Sequence, residues 1–325
     1  MTRPFAAPRP LAAAAMILTA MATMGLIDNY VRVIAETTGL WQFHVVRSSM
    51  CLGLLAIYAR LTGTRLQPRH WGVVVARSAI LSVALVTYFG ALVLLPISEV
   101  IAGLFTAPIW VLLLSALFFD KSLGRVRIVA VIAGFVGVML VLRPDTGTLT
   151  WLTALPLISG VLYALAQIAT REWCAEETAL TLLFGFFAAL GLWGLVGLAG
   201  LSLFPQPVPA GPEGFPWRLW GQMSVAAWGW TVAQALGSIF AVGLIIRAYQ
   251  IAEASFVAVF EYALLIFAVF WGYVLLGQTV DGWALTGIAV IVGSGAVMVL
   301  GTRGAATTEI PAPATPEATP GPQAR

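Results

Sequence analysis

The sequence predicts an all-α integral membrane protein with ten transmembrane helices, arranged as two inverted five-helix repeats. Three observations predict this fold class: the composition, a series of long apolar segments and a duplicated motif. Of the 325 residues, 60% are hydrophobic and 10% are charged, and the mean hydropathy is +0.94. Ordinary soluble domains are about half apolar and about a quarter charged. The composition therefore favours a polytopic membrane protein.

Apolar segments long enough to cross a membrane recur along the whole chain. A spanning helix needs about 20 mostly apolar residues, and a helix pairs its own backbone groups where lipid offers no partner. The ten predicted spans are 11–34, 42–61, 71–94, 98–118, 125–143, 151–171, 179–203, 223–246, 254–276 and 282–301. Most connections are short. The Pro- and Gly-rich segment 204–221 is the exception, and its composition predicts a loop.

Basic residues predict the orientation of these spans. With the N-terminus inside, twelve of the 17 Lys and Arg residues fall on the cytoplasmic side. Only Arg143 and Arg218 fall outside, and Arg32, Arg47 and Arg77 lie within spans. This positive-inside bias predicts a multi-pass protein of the cytoplasmic (inner) membrane with both termini cytoplasmic. The net charge of +3 then reflects topology, so no nucleic-acid partner is expected.

A duplicated motif predicts the internal repeat. "LLPISEVIAGLFTAPIW" (94–110) parallels "AYQIAEASFVAVFEYAL" (248–264), which matches Glu99 with Glu253, and a similar apolar segment follows each copy. Because five is odd, the second repeat enters the membrane from the opposite side, an arrangement that transporters use around a midplane site. The predicted units are a cytoplasmic N-terminus (1–10), two repeats (11–147 and 148–301) and a disordered cytoplasmic tail (302–325).

Four segments in this order resemble the EamA-type transporters of the drug/metabolite transporter superfamily. They are Gly25 to Arg32 with Arg47, "LPISEVIAGLFTAPIW", "GFVGVMLVLRP" (134–144) and "AEASFVAVFEYALLIFAVFWGYVLLG" (252–277). The resemblance covers about residues 15–301 and implies ten helices, two inverted repeats, and export or uptake of small metabolites. One departure is that Lys121 and Gln278 stand where many members carry an acid.

Polar residues interrupt the first span at helical spacing. They lie at i, i+3, i+4, i+7 and i+11 and are Gly25, Asp28, Asn29, Arg32 and Glu36. This spacing predicts one polar face. A charge in mid-span costs about 2.5–3.5 kcal/mol, so the face should line a polar cavity. The alternative is a buried pair of Asp28 with Arg32 or Arg47 that only joins helices.

Further candidates for substrate binding lie in other spans. Arg47 keeps its charge and can hold a substrate carboxylate with two hydrogen bonds, or it neutralises Asp28. Glu261 can carry a coupling proton or meet a substrate ammonium, and the alternative is a protonated contact between helices. Neutral hydrogen-bonding side chains suit organic solutes, although such groups also join helices. They are Tyr88, Tyr163, Gln167, Gln234 and Tyr262. Pro108 is expected to break the fourth helix.

Motifs of other classes are absent from the sequence. Two histidines and two separated cysteines give no metal-ligand spacing, and no Walker loop or G-x-S-x-G elbow occurs. No metal, cofactor or catalytic residue is therefore expected. The leading interpretation is a secondary transporter that exports amino acids or related zwitterions by alternating access. The alternatives are a membrane enzyme acting on a lipid-linked substrate and a non-transporting scaffold or sensor. Partners would be the solute, the bilayer and, through the glycine-rich faces 133–138 and 287–295, a second copy or another helix of the chain.

Overall fold

A computed structural model describes residues 9–119, 124–144 and 150–308. These residues form thirteen α-helices, two short 3-10 turns and no strand. The helices are α1 (Pro10–Asp28), α2 (Val31–Ala35), α3 (Leu40–Thr62), α4 (Trp71–Leu94), α5 (Ile97–Leu104), α6 (Ala107–Phe119), α7 (Arg125–Leu142), α8 (Ala154–Glu172), α9 (Ala179–Leu203), α10 (Val225–Ile251), α11 (Ala254–Glu261), α12 (Ala263–Leu276) and α13 (Gly282–Thr308).

Within the described ranges, ten helical stretches are long and apolar enough to cross a membrane, and they coincide with the ten predicted spans. The all-α, ten-span prediction is therefore confirmed. The last helix runs beyond the predicted end at residue 301 to Thr308, through the good helix formers Ala305 and Ala306. The rest of the predicted tail (309–325), most of the predicted N-terminus (1–8) and Lys121 lie outside the described residues.

Three spans are broken into two helices each. The first breaks at Asn29 and Tyr30, the fourth at Phe105 and Thr106, and the ninth at Tyr262. Pro108 lies in the first turn of α6, and it has no N–H to donate to the carbonyl of Leu104. The break predicted at Pro108 is thus present. The break at Tyr262 has no proline or glycine to predict it.

Consecutive spans alternate in direction, which gives the bundle two loop-bearing faces. The face where α1 begins is called the first face, and the opposite one the second face. On the first face the amide of Arg9 donates to the carbonyl of Ile251, at 3.1 Å. On the second face the amide of Leu40 donates to the carbonyl of Phe215, at 2.7 Å, and Arg143 pairs with Asp281.

The main helix contacts occur in matching sets. α3 packs against α9 and α7 against α13, while α1 packs against α10 as α4 packs against α8. If each of the first five spans is exchanged for the span five places later, and the reverse, the same set of contacts results. The eight-residue helices α5 and α11 begin at Ile97 and Ala254, so Pro96 and Glu253 occupy equivalent positions before them. The structural equivalence is therefore shifted by three residues from the sequence alignment, which matched Glu99 with Glu253.

Candidate functional site

A polar cluster lies in the half of the bundle nearer the second face. Asp28, the last residue of α1, is exposed although it lies within a membrane span. The side-chain amide of Gln234, on α10, donates to the carbonyl of Ile27 (2.9 Å) and to the carboxylate of Asp28 (3.4 Å). Gln234 is only 1% exposed, and its Oε1 atom has no hydrogen-bond partner. An acceptor therefore remains unused beside the carboxylate.

Arg47 on α3 supplies the opposite charge. Its guanidinium interacts electrostatically with Asp28, but the two side chains form no ion pair within 4.0 Å. One guanidinium nitrogen lies 3.5 Å from Nδ1 of His44, and the guanidinium carbon lies 4.8 Å from the ring centroid of Phe43. The Nε atom of Arg47 has no partner. The cation is thus held by neutral groups and keeps donors for another ligand.

Aromatic rings surround the Arg47 side of this cluster. His44 meets Phe89 edge-on with ring centroids 4.6 Å apart, and Phe89 meets Tyr88 edge-on at 5.3 Å. Tyr88 also lies within electrostatic range of Asp28. The name second-face cluster is used below for Asp28, His44, Arg47, Tyr88 and Gln234. It combines both signs of charge, unused hydrogen-bonding atoms and flat apolar surfaces.

The predicted single polar face of the first span is not observed. Adjacent helical residues point about 100° apart, and Asn29 binds a different neighbour from Asp28. Its amide donates to the carbonyls of Gly25 (2.7 Å) and Ala268 (3.1 Å), which joins α1 to α12. Arg32 and Glu36 are exposed on and just after the short helix α2. Asp28 alone of this stripe reaches Gln234.

A second polar cluster lies nearer the first face. Glu261, the last residue of α11, is 7% exposed. Its Oε1 atom accepts hydrogen bonds from the hydroxyls of Tyr163 on α8 (3.1 Å) and Tyr249 on α10 (3.0 Å). Gln167 lies one turn from Tyr163, is 2% exposed, and has an Oε1 atom without a partner. Glu261, Tyr163, Tyr249 and Gln167 are called the first-face cluster below.

Arg77 is a buried cation beside this cluster. It is 1% exposed, and its Nε donates to the hydroxyl of Thr170 at 3.0 Å. A terminal nitrogen donates to the carbonyl of Leu182 at 3.5 Å. Its described partners include no carboxylate, and it lies within electrostatic range of Tyr163. The guanidinium therefore joins α4 to α8 and α9 through neutral acceptors.

The ten predicted site residues do not converge on one point. Gln234 and Tyr249 lie fifteen residues apart on α10, which is about 22 Å along the helix axis. Asp28, Arg47, Tyr88 and Gln234 belong to the second-face cluster, and Tyr163, Gln167 and Glu261 to the first-face cluster. Tyr262 belongs to neither. It is fully buried, packs against Gly134, and its hydroxyl donates to the carbonyl of Val131 at 3.4 Å.

Sequence reasoning missed His44, Tyr249 and the bonding role of Arg77. Arg77 could have been singled out, since a basic residue within a span is expensive and needs partners. His44 lies three residues before Arg47, on the same face of α3. Tyr249 carries no such signal, because only the packing of α10 against α11 brings its hydroxyl to Glu261.

The described residues contain no group of three or more His, Cys, Asp or Glu side chains that could hold a metal ion. Both cysteines are buried free thiols. Cys174 lies in the loop between α8 and α9, where burial raises the pKa of its thiol to about 11. The thiol is therefore protonated at neutral pH and is a poor nucleophile.

Ten apolar spans among the described residues, with polar side chains between them, define a polytopic membrane protein. Residues 11–143 match the EamA-like transporter family. The "Riboflavin transporter" of Vibrio cholerae is 24% identical over 288 residues, covering 87% of this chain and 91% of that protein. The "Pseudopaline exporter CntI" of Pseudomonas aeruginosa is 22% identical over 271 residues, covering 83% and 89%.

A solved crystal structure shares the fold with a TM-score of 0.73 at 17% identity, covering 90% of this chain and 98% of that one. The sequence matches confirm the resemblance to EamA-type transporters of the drug/metabolite transporter superfamily. The match over residues 11–143 and the names of these relatives point to a small-molecule transporter rather than to an enzyme.

Proposed function

We propose that this transporter exports amino acids or related zwitterions, and that the second-face cluster is its substrate site. One observation carries the proposal: Asp28 and Arg47 lie within electrostatic range of each other but form no ion pair. A charge within a membrane span is costly unless another group satisfies it. A solute with both charges satisfies the two at once.

Each end of such a solute has a partner in the cluster. The guanidinium of Arg47 accommodates a carboxylate through two parallel hydrogen bonds. The carboxylate of Asp28 is exposed and can accept hydrogen bonds from an ammonium, which only donates. Tyr88, half-buried beside Asp28, supplies a hydroxyl and an aromatic surface for the remainder of the solute.

The aromatic side of the cluster supports a second candidate. His44, Tyr88 and Phe89 form a continuous set of rings next to Arg47, and such rings stack on planar heterocycles. The relatives from Vibrio cholerae and Brucella anthropi are named riboflavin transporters. A flat, polar heterocycle such as riboflavin is therefore the alternative substrate class.

Alternating access is supported by the paired helix contacts. α1 against α10 corresponds to α4 against α8, as two inverted repeats over 11–147 and 148–301 require. The breaks in the fourth and ninth spans fall at corresponding places and supply hinges. The positive-inside bias supports a topology in which both termini, and hence the first face, lie on the cytoplasmic side of the inner membrane.

Export is the direction favoured by the name of one relative, the pseudopaline exporter. In this topology the substrate enters from the first face and leaves through the second. The Asp28 and Arg47 charges then lie on the exit side of the bundle. A zwitterion bound there replaces its hydrogen bonds to water with hydrogen bonds to the protein while it is within the membrane.

Counterflow in proteoliposomes tests the proposal. Vesicles loaded with a mixture of unlabelled amino acids receive trace labelled amino acids outside, and a parallel set is loaded with riboflavin and receives labelled riboflavin. Protein-dependent entry of labelled amino acids is expected, with a loss of at least tenfold in Arg47→Gln. Entry of riboflavin alone supports the second candidate, and entry of neither, with monodisperse protein, contradicts both.

A further inference from the structure

We propose that Glu261 is a proton-binding site separate from the substrate site, and that this transporter is coupled to protons. The proposal rests on the transport function proposed above. It assigns a different role to the first-face cluster, which lies about 22 Å from the second-face cluster along α10. A small zwitterion cannot contact both clusters at once.

The bonding of Glu261 leaves room for a proton and for little else. One carboxylate oxygen accepts two tyrosine hydroxyls, and the side chain is 7% exposed. A substrate ammonium needs space beside the carboxylate, and a side chain as closely buried as Glu261 leaves little of it. A proton needs only the second oxygen, Oε2. The geometry therefore favours a proton over an amine-bearing solute.

Neutral surroundings make both protonation states attainable. Burial penalises the charged carboxylate, whereas the hydroxyls of Tyr163 and Tyr249 stabilise it by hydrogen bonding. The titratable group that faces Glu261 from α8 is Tyr163, and the one that faces it from α10 is Tyr249. Arg77 lies within electrostatic range of Tyr163. The opposing effects suit a group that gains and loses its proton in a cycle.

The other helices packed on α11 bring no compensating cation to Glu261. α6 and the span 282–301 contain no charged residue, and α1 contributes only Asp28, at its far end. α7 contributes Arg125, which is exposed at its first position, and Arg127, which is paired with Glu253 at the start of α11. Tyr262, the next residue in the chain, donates to the carbonyl of Val131. Glu261 thus has no salt-bridge partner among the described residues.

The position of Glu261 fits a carrier that is alternately open to each side. It lies seven residues into α11, about 10 Å from the first face, immediately before the break at Tyr262. The break allows α11 to tilt independently of α12. In the proposed cycle an O–H bond forms at Oε2 with a proton from water on one side. The same bond breaks, after the tilt, to release that proton to water on the other side.

Proteoliposomes with an entrapped pH dye test the coupling. Labelled amino acids and an imposed pH gradient are the probes. Wild-type protein should accumulate label several-fold above the level without a gradient, and adding amino acids should change the internal pH. Glu261→Gln should lose both responses, whereas it should still exchange labelled for unlabelled amino acids at equal pH. Glu213→Gln, which removes an exposed loop carboxyl, is the matched control and should behave as wild type.

Two results would overturn the proposal. One is uptake of label by wild-type protein that is the same with and without the pH gradient, and the other is a response to the gradient that persists in Glu261→Gln. Absence of exchange in the wild type would contradict the substrate assignment alone.

Infrared difference spectra between acid and alkaline pH then decide the proton site without a substrate. A carboxylic-acid band present in wild type and Glu213→Gln but missing in Glu261→Gln supports it, and an unchanged band contradicts it. Glu261→Asp, which keeps a carboxyl, should restore the band if Glu261→Gln is poorly folded.

Discussion

Gly137 on α7 and Gly287 on α13 face each other at backbone distance. A Cβ atom built on Gly137 would lie 2.7 Å from the carbonyl oxygen of Gly287, and one built on Gly287 would lie 2.6 Å from that of Gly137. The contact is reciprocal, and it joins the fifth and tenth spans, which correspond to each other in the two halves. This part of the glycine-rich faces therefore serves a contact within the chain. A homodimer remains a proposal and would need another surface.

Gly137→Ala is expected to destabilise the fold by about 1–3 kcal/mol, because the added methyl group forces two closely packed helices apart. Thermal unfolding in detergent, followed by circular dichroism, measures the change. Gly293→Ala on α13 is the matched control, since a Cβ there meets nothing within 4 Å. Equal melting temperatures for Gly137→Ala and wild type would show that α7 and α13 are not this close.

Glu177 connects two loops on the first face, and its loss should destabilise the protein. The side chain is 5% exposed and accepts the backbone amides of Arg69 (3.1 Å) and His70 (2.8 Å) at the start of α4. Glu177→Ala leaves two amides without an acceptor, so about 2–5 kcal/mol is expected to be lost. Glu176→Ala removes an exposed neighbour and should change stability by less than about 0.5 kcal/mol. Equal effects of the two substitutions would contradict this account.

The sequence was sufficient to predict the ten spans, because the need for about 20 apolar residues acts locally on each segment. The break near Pro108 was predictable for the same reason, since a proline removes one donor wherever it lies in a helix. The break at Tyr262 was not. No residue there disfavours a helix strongly, so the interruption depends on packing around α11.

The site was predictable only in part. The cost of a charge in a membrane singled out Asp28, Arg47 and Glu261 without any structure. Helical spacing then wrongly grouped Asn29 with Asp28, because it does not tell which neighbouring helix each side chain meets. Two contacts fixed the outcome: Asn29 with the carbonyl of Ala268, and Asp28 with Gln234, from helices more than 200 residues away in sequence.

Arg218 holds the loop of residues 204–224 against the turn between α2 and α3. Its guanidinium donates to the carbonyls of Ala35 (2.7 Å), Thr38 (3.0 Å) and Gly211 (2.8 Å). A lysine cannot reproduce this forked arrangement. Arg218→Lys should therefore speed amide hydrogen exchange throughout 204–224 at least tenfold. Arg65→Lys, in an exposed position of another loop, is the control and should leave those rates unchanged. Unchanged rates in Arg218→Lys as well would contradict a structural role for these hydrogen bonds.

Asp281 predicts a pH dependence at the start of α13. The amide of Ala284 donates to its carboxylate at 2.8 Å, and this bond, with the paired Arg143, holds the pKa of Asp281 below its ordinary value of 3.8. A group whose pKa is lower in the folded state than in the unfolded state stabilises the protein at pH values above its unfolded-state pKa. This contribution is lost as the pH falls through the folded-state pKa. Asp281→Asn should thus lower the melting temperature at pH 7, and the difference from wild type should shrink as the pH falls below 3.8. A gap that stays constant across this range would contradict the assignment.

Asp28 should select the ammonium end of the substrate. Asp28→Asn keeps the size of the side chain and an acceptor for Gln234, but it removes the charge that an ammonium requires. Counterflow of a labelled amino acid should fall at least tenfold, which corresponds to about 1.4 kcal/mol or more of lost binding. Counterflow of the matching carboxylic acid without its amino group should change less than about threefold, since Arg47 still holds the carboxylate. Glu36→Gln, an exposed acid just beyond the same span, should alter neither. An equal loss for both solutes in Asp28→Asn would show that the residue supports the fold of the cluster instead of recognising the ammonium.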